Sequence, residues 1–211
     1  MISGILIRAI VVIVSLVFVA GSWIATGSPN VSLLSSFSIA VFACTVLLLL
    51  WDRWIWKWKL AQAIPGVSRD LSGTWEAKLD SYWIDPATGS TPDAKTVYVV
   101  IRQTSTTASV ALISDESKSK SSLARVVNEG GSWLLHYVYT NEPRLELRGH
   151  SPIHHGSAVL SVAGSPAQRL EGGYWTDRGS KGQLKLTKRM KNLADDFDEA
   201  KELFKGTGLS N

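Results

Sequence analysis

The segment Trp75-Glu76-Ala77-Lys78-Leu79-Asp80-Ser81 alternates apolar or small side chains with charged ones, residue by residue. A period of two residues is typical of a β-strand with one face in a core and the other in solvent. Trp75, Ala77 and Leu79 share the predicted inward face, which continues into the polar residue Ser81. This stretch therefore predicts a strand whose inward face changes from apolar to polar along its length.

Similar runs fill most of the chain that follows, and Gly, Pro, Asn or Ser separates most of them. The runs are Thr96–Gln103, Thr106–Ser114, Ser117–Val127, Trp133–Thr140, Pro143–Arg148, Gly156–Val162, Gln168–Asp177 and Gly182–Lys188. Sequential short strands without long helices between them predict antiparallel pairing in a sandwich or an up-and-down barrel. We favour a small barrel of about eight strands over residues 71–189, whose lumen would hold side chains or one small ligand.

A helical pattern follows the last strand. Leu193, Phe197, Ala200 and Phe204 recur at helical spacing, and acidic residues occupy most of the positions between them. This pattern predicts a C-terminal amphipathic helix and tail over residues 190–211, with the apolar side packed on the barrel or on a partner.

Two apolar runs, roughly residues 5–25 and 31–51, precede the strands. Each has about the 20 residues that a helix needs to cross a bilayer. Residues 1–51 contain one charged side chain, Arg8, whereas the other 39 of the chain's 40 lie in residues 52–211. The turn Thr26–Asn30 is uncharged, and basic residues and tryptophans follow the second run, which marks a cytoplasmic membrane edge. We predict a two-helix transmembrane hairpin over residues 1–58, with both termini in the cytoplasm, and a linker over residues 59–70.

A cleaved signal peptide followed by a secreted domain is the alternative for this end of the chain. Ala20-Gly21-Ser22 has the small residues of a cleavage region. The second apolar run and its basic, tryptophan-rich exit argue against that alternative. With Cys44 as the single cysteine, no intrachain disulfide is possible.

The predicted inward faces end in polar side chains on several strands. Leu112 leads to Ser114, and the next strand continues with Ser117 and Ser119; Leu135 leads to Tyr137, Tyr139 and Asn141; Tyr174, Thr176 and Arg178 share one face. An apolar wall with a few directed polar groups is the usual lining of a ligand pocket. Tyrosine rings can stack on bases, and Ser, Asn and Arg can donate to phosphates. The alternative is that these are ordinary strand-end residues, since Ser, Asn and Arg are common near turns.

The sequence gives little support for catalysis, metal binding or nucleic-acid binding. The sequence has no nucleophile elbow, Walker loop or zinc-protease motif, and no acid–base pair stands out, so we predict neither an enzyme nor a cofactor. His150, His154 and His155 lie near Pro152, which favours a turn over the helix that a metal site at this spacing would need. A net charge of +4 without a long basic run argues against DNA or RNA binding.

In order and spacing, the soluble part resembles the bacterial antiphage effectors of cyclic-oligonucleotide-based signalling systems (CBASS) that combine two transmembrane helices with a β-strand-rich barrel. The matching segments are Gly73-Thr74-Trp75 running into Ser81-Tyr82, Ile101-x-Gln103-Thr104, Ser114-x-x-Ser117-x-Ser119-x-Ser121, Tyr137-x-Tyr139-x-Asn141-x-Pro143, His155-Gly156 with Leu160, and Leu170-x-Gly172-x-Tyr174-Trp175-Thr176-x-Arg178. The N-terminal hairpin matches only as an architecture.

The resemblance implies a mechanism. A cyclic-nucleotide synthase supplies the activating ligand, the barrel binds it, the chain forms a homo-oligomer, and the clustered membrane segments disrupt the bacterial inner membrane. The resemblance and the inward polar residues together give eleven ligand-binding candidates. They are Ser81, Tyr82, Gln103, Ser117, Ser119, Tyr137, Tyr139, Asn141, Tyr174, Thr176 and Arg178. Arg178, with Arg102 as a second option, would meet the phosphates of a cyclic dinucleotide.

Three other functions remain open at this point. A membrane-tethered, lipocalin-like carrier or sensor of a small apolar molecule would also use a barrel lined by Tyr and Leu. A membrane-anchored enzyme and a scaffold whose barrel binds only partner proteins complete the alternatives.

Overall fold

The structure, a computed structural model, describes residues 4–27, 31–84, 86, 88–149 and 151–205. The chain divides into two compact units, Met1–Trp56 and Lys57–Asn211. The first unit contains two long helices, α1 Gly4–Thr26 and α2 Val31–Arg53. Gly27, with a φ of 70°, ends α1 in the left-handed conformation that glycine adopts without strain.

The two helices of the first unit contact each other through aromatic stacking. The ring centroids of Phe18 and Phe37 lie 4.2 Å apart with nearly parallel planes. Of the predicted turn, Ser28, Pro29 and Asn30 lie outside the described residues. Among the described residues, no helix has both the length and the apolarity required for a membrane crossing. The transmembrane hairpin therefore stays a prediction.

The second unit begins with a short helix, α3 Lys59–Gln62, after the 3-10 turn Ile55–Lys57. Eight antiparallel strands then follow one another around a closed barrel. They are β1 Gly73–Ser81, β2 Lys95–Gln103, β3 Ala108–Ile113, β4 Ser117–Glu129, β5 Ser132–Pro143, β6 His154–Ala163, β7 Arg169–Thr176 and β8 Lys181–Met190. The predicted up-and-down barrel is confirmed, and so is the C-terminal helix, α4 Phe197–Lys205.

The core of the barrel consists of the alternating side chains that the sequence places inward. Trp75, Ile101, Leu135 and Leu160 from four different strands are fully buried in one cluster. The Trp75 indole Nε1 donates to the Leu71 carbonyl oxygen at 2.9 Å, so its polar atom is satisfied within the core. Because each strand pairs with its neighbours in sequence and β8 closes the barrel on β1, the period of two is sufficient to fill one shared interior.

One of the nine sequence runs is not a strand, so the prediction of a strand over Pro143–Arg148 is wrong. Strand β5 ends at Pro143, and Leu145–Leu147 form a 3-10 turn. Proline lacks the N–H that a strand donates, and the Arg148 side chain closes the turn by donating from Nε to the Pro143 carbonyl at 3.1 Å. The alternation of Leu145 and Leu147 does not reflect burial, since both leucines lie in the turn.

The C-terminal helix α4 packs on the outside of the barrel. Ala200 and Phe204 are buried against Tyr98, Val100 and Ile113, which are the outward residues of β2 and β3. The Phe204 and Tyr98 rings stack at a centroid distance of 5.6 Å. This arrangement explains why β2 reads as a continuous apolar run, because one face fills the lumen and the other lies under the helix.

A partly buried ion pair anchors the segment that leads into β1. Arg189 on β8 contacts the Asp70 carboxylate at 2.6 Å, and its Nε donates to the Ser72 carbonyl at 2.8 Å. Burial alone would raise the pKa of Asp70, but the charge of Arg189, with hydrogen bonds from Arg189 and Ser72, outweighs burial and lowers the pKa. The carboxylate therefore stabilises the fold while it stays ionised.

We expect Asp70→Asn to lower the free energy of unfolding at pH 7 by about 1–3 kcal/mol, because Arg189 loses its charged partner. The folded pKa of Asp70 lies below the unfolded value, so this contribution is present above the unfolded pKa and is lost as the pH falls through the folded pKa. Urea unfolding of residues 57–211 at neutral and acid pH measures the difference. Asp80→Asn, which breaks an exposed 3.6 Å pair with Lys78, is the control and should cost little. Equal losses in the two variants would contradict the argument.

Candidate functional site

The lumen of the barrel opens into a cavity at the end where β1, β3, β5 and β7 terminate. Its volume is about 420 Å³, within the usual range of small-ligand sites. Leu79, Val97, Leu112 and Leu184 supply the apolar lining, and the remaining wall is mostly hydroxyl, phenol, amide and charged groups. The predicted division of the lumen into an apolar part and a polar part is therefore present in the structure.

The structure brings nine of the eleven candidate residues together around this cavity. They are Ser81, Ser117, Ser119, Tyr137, Tyr139, Asn141, Tyr174, Thr176 and Arg178. Strands β1, β4, β5 and β7 and the turn after β7 supply them, so the closed barrel places in one wall residues that are up to about a hundred positions apart. Whether each one binds a ligand stays a prediction.

Tyr82 and Gln103 are not brought to the cavity. Tyr82 lies outside the barrel, 52% exposed, with its hydroxyl 3.2 Å from Gln183 Oε1. Gln103 lies at the opposite end, where Oε1 accepts the Leu71 N–H at 2.9 Å and Nε2 donates to the Arg69 carbonyl at 2.9 Å. The amide of Gln103 therefore anchors the segment Arg69–Leu71, which leads into β1.

Arg102, the second option for a phosphate contact, also points away from the lumen. Its guanidinium pairs with Asp195 at 3.0 Å on the outer surface, because residue 102 is one position out of step with the inward residues Ile101 and Gln103. Arg178 lines the cavity instead and donates from NH1 to Ser151 Oγ at 2.9 Å. Among the residues that the structure describes, Arg178 has no carboxylate partner.

Three tyrosines form the polar side of the lumen. Tyr137 and Tyr139 lie on β5 with ring centroids 5.7 Å apart, and Tyr174 projects from β7. Burial raises the pKa of each phenol, with smaller contributions from Tyr139 at Tyr137 and from Tyr174 and Asp177 at Tyr139. All three phenols therefore stay neutral at physiological pH and can both donate and accept.

The hydroxyls of these tyrosines differ in their partners. Burial raises the pKa of the Tyr174 phenol, and the neighbouring Ser81 side chain partly offsets that rise. Within the described part of the chain, the hydroxyls of Tyr137 and Tyr139 make no hydrogen bond to protein. Because a hydroxyl that lines a cavity gains from a partner, these two groups are free to recognise a ligand.

Two glycines make room for the tyrosine rings. A Cβ on Gly156, the cross-strand partner of Tyr139, would lie 2.5 Å from the Tyr139 Cζ and hydroxyl oxygen. A Cβ on Gly182, the partner of Tyr174, would lie 2.7 Å from the Tyr174 Cε1 and 2.0 Å from the Asp80 carbonyl oxygen. Each ring therefore lies over a glycine, which fixes where it enters the lumen.

The charged residues at the rim of the cavity are not among the residues predicted from the sequence. Lys95 and Glu116 form an ion pair of 2.6 Å there, and Asp93 lines the same opening. Lys95 was missed because the strand was predicted to begin at Thr96, although extending the alternation of Val97 and Val99 back by one step places Lys95 inward. Glu116 and Asp93 lie in connections, where no period indicates direction.

The structure gives no sign of a metal site in the part of the chain it describes, where no group of three or more His, Cys, Asp or Glu side chains is placed to hold an ion. His154 lines the cavity with Nδ1 3.0 Å from the Pro152 carbonyl oxygen. His155 contacts the Thr140 hydroxyl at 3.0 Å through Nδ1. His150 lies outside the described residues.

A closed barrel whose lumen presents phenols, hydroxyls and a guanidinium without a carboxylate partner among the described residues has the features of a receptor for a small polar ligand. Residues 68–188 match the protein family described as Cap15, cyclic dinucleotide receptor domain. CD-NTase-associated protein 15 of Staphylococcus schleiferi is 34% identical over 151 residues, which cover 72% of this chain and 78% of that protein. The chain therefore belongs to the Cap15 family of CBASS effectors, as the resemblance of its sequence predicts.

Proposed function

We propose that this barrel binds a cyclic dinucleotide in the lumen cavity, and that binding triggers self-association and disruption of the bacterial inner membrane by the N-terminal helices. The observation that carries the proposal is Arg178, a cavity-lining guanidinium whose described contact is a neutral serine hydroxyl. A cavity-lining cation without a carboxylate counter-ion among the described residues can accept an anionic ligand as its partner. The family match supplies the ligand class.

The cavity offers a partner for each part of such a ligand. Arg178 can contact a phosphate with two parallel N–H donors. Tyr137 and Tyr139 present rings for stacking and neutral hydroxyls for the base edges. Ser117, Ser119 and Asn141 lie at the same end of the lumen and can bond sugar hydroxyls or base edges, while the leucines exclude water beneath them.

The membrane part of the proposal rests on the sequence and on the two helices of the first unit. Helices α1 and α2 each contain 23 residues, and the segments they include carry almost none of the chain's charge. At 1.5 Å per residue this length exceeds the hydrocarbon thickness of about 30 Å. Arg53 is the last residue of α2 and Lys57 and Lys59 follow it, so we propose an inner-membrane hairpin with both termini in the cytoplasm.

Self-association is supported by a row of exposed apolar side chains on the outside of the barrel. Adjacent strands place Leu123, Val138, Ser157, Trp175, Lys181 and Tyr82 side by side in one row. Its apolar and aromatic members are 42% to 67% exposed. We propose a second copy of this chain as the partner, because a row with the single charge of Lys181 can face its own copy with little repulsion. Gathering hairpins in this way raises their local concentration in the bilayer.

Two measurements on the full chain in detergent micelles test the binding and assembly steps. Titration calorimetry against cyclic di- and trinucleotides should give saturable binding for at least one cyclic dinucleotide. Sedimentation should show a larger species when that ligand is present, since a ligand shifts the equilibrium toward the state that it binds better. Absence of binding across the whole panel would remove the core of the proposal.

A replacement of residues 1–56 by a soluble tag tests the membrane step. We expect the chimera to bind the ligand with unchanged affinity and to lose all toxicity when it is expressed with an active cyclic-nucleotide synthase. Dye leakage from the cells reports membrane damage directly. Toxicity that persists without residues 1–56 would show that killing does not require the hairpin.

A further inference from the structure

The ion pair between Lys95 and Glu116 occupies the rim of the ligand cavity. Lys95 Nζ lies 2.6 Å from Glu116 Oε1, and the side chains are 44% and 52% exposed. Both residues line the cavity, Lys95 at the start of β2 and Glu116 in the turn between β3 and β4. The pair therefore stands where a ligand larger than the apolar lumen would extend.

Lys95 and Arg178 are the permanently cationic side chains among the described residues of the cavity wall. They differ in one respect, since Arg178 contacts a neutral hydroxyl and Lys95 already holds a carboxylate. A cyclic dinucleotide carries two phosphates, one on each side of its ring. If one phosphate binds Arg178, Lys95 is the remaining fixed cation on this wall for the other.

Glu116 lies in a turn in which hydrogen bonds hold its backbone in place. Ser114 Oγ accepts the N–H of Glu116 at 3.2 Å and the N–H of Ser117 at 2.9 Å. The Glu116 carbonyl accepts the Arg144 N–H at 2.9 Å. Because the backbone is anchored on both sides, release of Lys95 requires only side-chain rotation and leaves the wall of the cavity intact.

Exchange of the Glu116 carboxylate for a ligand phosphate as the partner of Lys95 is favourable. A half-exposed ion pair contributes little to stability, so separating Lys95 from Glu116 costs little. A phosphate oriented by contacts deeper in the lumen binds the ammonium without a further entropic cost for its own positioning. A ligand with one phosphate, held at Arg178, gains nothing from the exchange, and Glu116 then keeps Lys95.

On the basis of the function proposed above, we infer that Lys95 is the second phosphate-binding cation of the cavity. Glu116 is its resident counter-ion, and the second phosphate of the ligand displaces it.

Calorimetry of the full chain with the cyclic dinucleotide that binds most tightly tests this inference. We expect Lys95→Met to weaken binding by roughly tenfold or more. Glu116→Gln should tighten binding by about threefold to fivefold, since the competing carboxylate is gone. In the Lys95→Met background, Glu116→Gln should change affinity no more than its control does, because the competition no longer exists.

Asp115→Asn is the matched control for Glu116→Gln, since it removes the same charge one residue away and Asp115 does not line the cavity. Lys120→Met is the control for Lys95→Met, because Lys120 is exposed on the outer face of β4. Both controls should stay within about twofold of the wild type. A 3′,5′-cyclic mononucleotide adds a second readout, since its single phosphate is held at Arg178 and Glu116→Gln should leave its affinity within about twofold of the wild type.

Three outcomes would overturn the inference. Wild-type affinity in Lys95→Met would show that Lys95 contacts no phosphate, while the proposed function would stand. Weaker binding in Glu116→Gln would show that the carboxylate contacts the ligand itself, again without affecting the proposed function. No nucleotide binding by the wild-type chain would overturn both.

Discussion

Replacing Arg178 by alanine should weaken cyclic dinucleotide binding by roughly 10- to 100-fold, because hydrogen bonds to a charged group contribute about 1.5–3 kcal/mol each. The guanidinium lines the cavity, and its described partner is Ser151, so the variant removes no internal ion pair. Folding should therefore be unaffected, and the whole change should appear in the dissociation constant. Calorimetry measures the affinity, and thermal unfolding of the same samples checks that the barrel is intact.

Arg102→Ala is the matched control for this prediction. It removes the same side chain from the outer surface, where Arg102 pairs with Asp195, and should leave affinity within about twofold. Arg178→Lys should recover only part of the binding, since an ammonium cannot make the parallel pair of bonds that a guanidinium makes to a phosphate.

The Arg178→Ala result also separates the two main functions that the sequence leaves open. A lipocalin-like carrier of an apolar molecule would bind through Leu79, Val97, Leu112 and Leu184, and the loss of one rim cation would hardly affect it. Unchanged affinity for a cyclic dinucleotide in Arg178→Ala would contradict the assignment of this residue to a phosphate.

The fold was largely predictable because the barrel satisfies one simple rule throughout. Consecutive strands pair with one another, so the alternation that begins at Trp75 assigns inward and outward faces without any knowledge of distant contacts. The rule fails where the backbone breaks the period. The register shifts between Ser121 and Leu123, and there Ser121 Oγ accepts the Val110 N–H at 2.9 Å. Such a side chain to backbone bond leaves no trace in a hydrophobic pattern.

The candidate site was predictable for the same reason and within the same limits. Inward residues near strand ends, such as Ser119 and Asn141, were found by their parity. Gln103 has the same parity but lies at the other end of the lumen, and alternation along one strand cannot show which end of a barrel is open. Glu116 lies in a turn, so its contact with Lys95 depends on where two connections meet in space.

Gly156→Ala is the second variant for which we expect a large effect. The added Cβ would lie 2.5 Å from the Tyr139 ring and 2.7 Å from the Trp175 carbonyl oxygen, both far inside contact distance. The ring must leave its place over residue 156, which removes a stacking surface contributing about 1–3 kcal/mol per base. We therefore expect affinity to fall by roughly tenfold or more, with a loss of stability of about 1–3 kcal/mol from overpacking.

The double variant shows whether the ring is the cause. If Gly156 acts by seating Tyr139, the Gly156→Ala change should cost little further affinity in a Tyr139→Ala background, and the two effects should not add. Gly173→Ala is the benign control on the neighbouring strand, since its Cβ would meet nothing closer than the Gly182 carbonyl oxygen at 3.7 Å. Full additivity of the two changes would mean that glycine is needed at position 156 only because a Cβ would clash with the backbone, and not to make room for the Tyr139 ring. Non-additivity would mean that a residue without a side chain determines where the ligand's base is held.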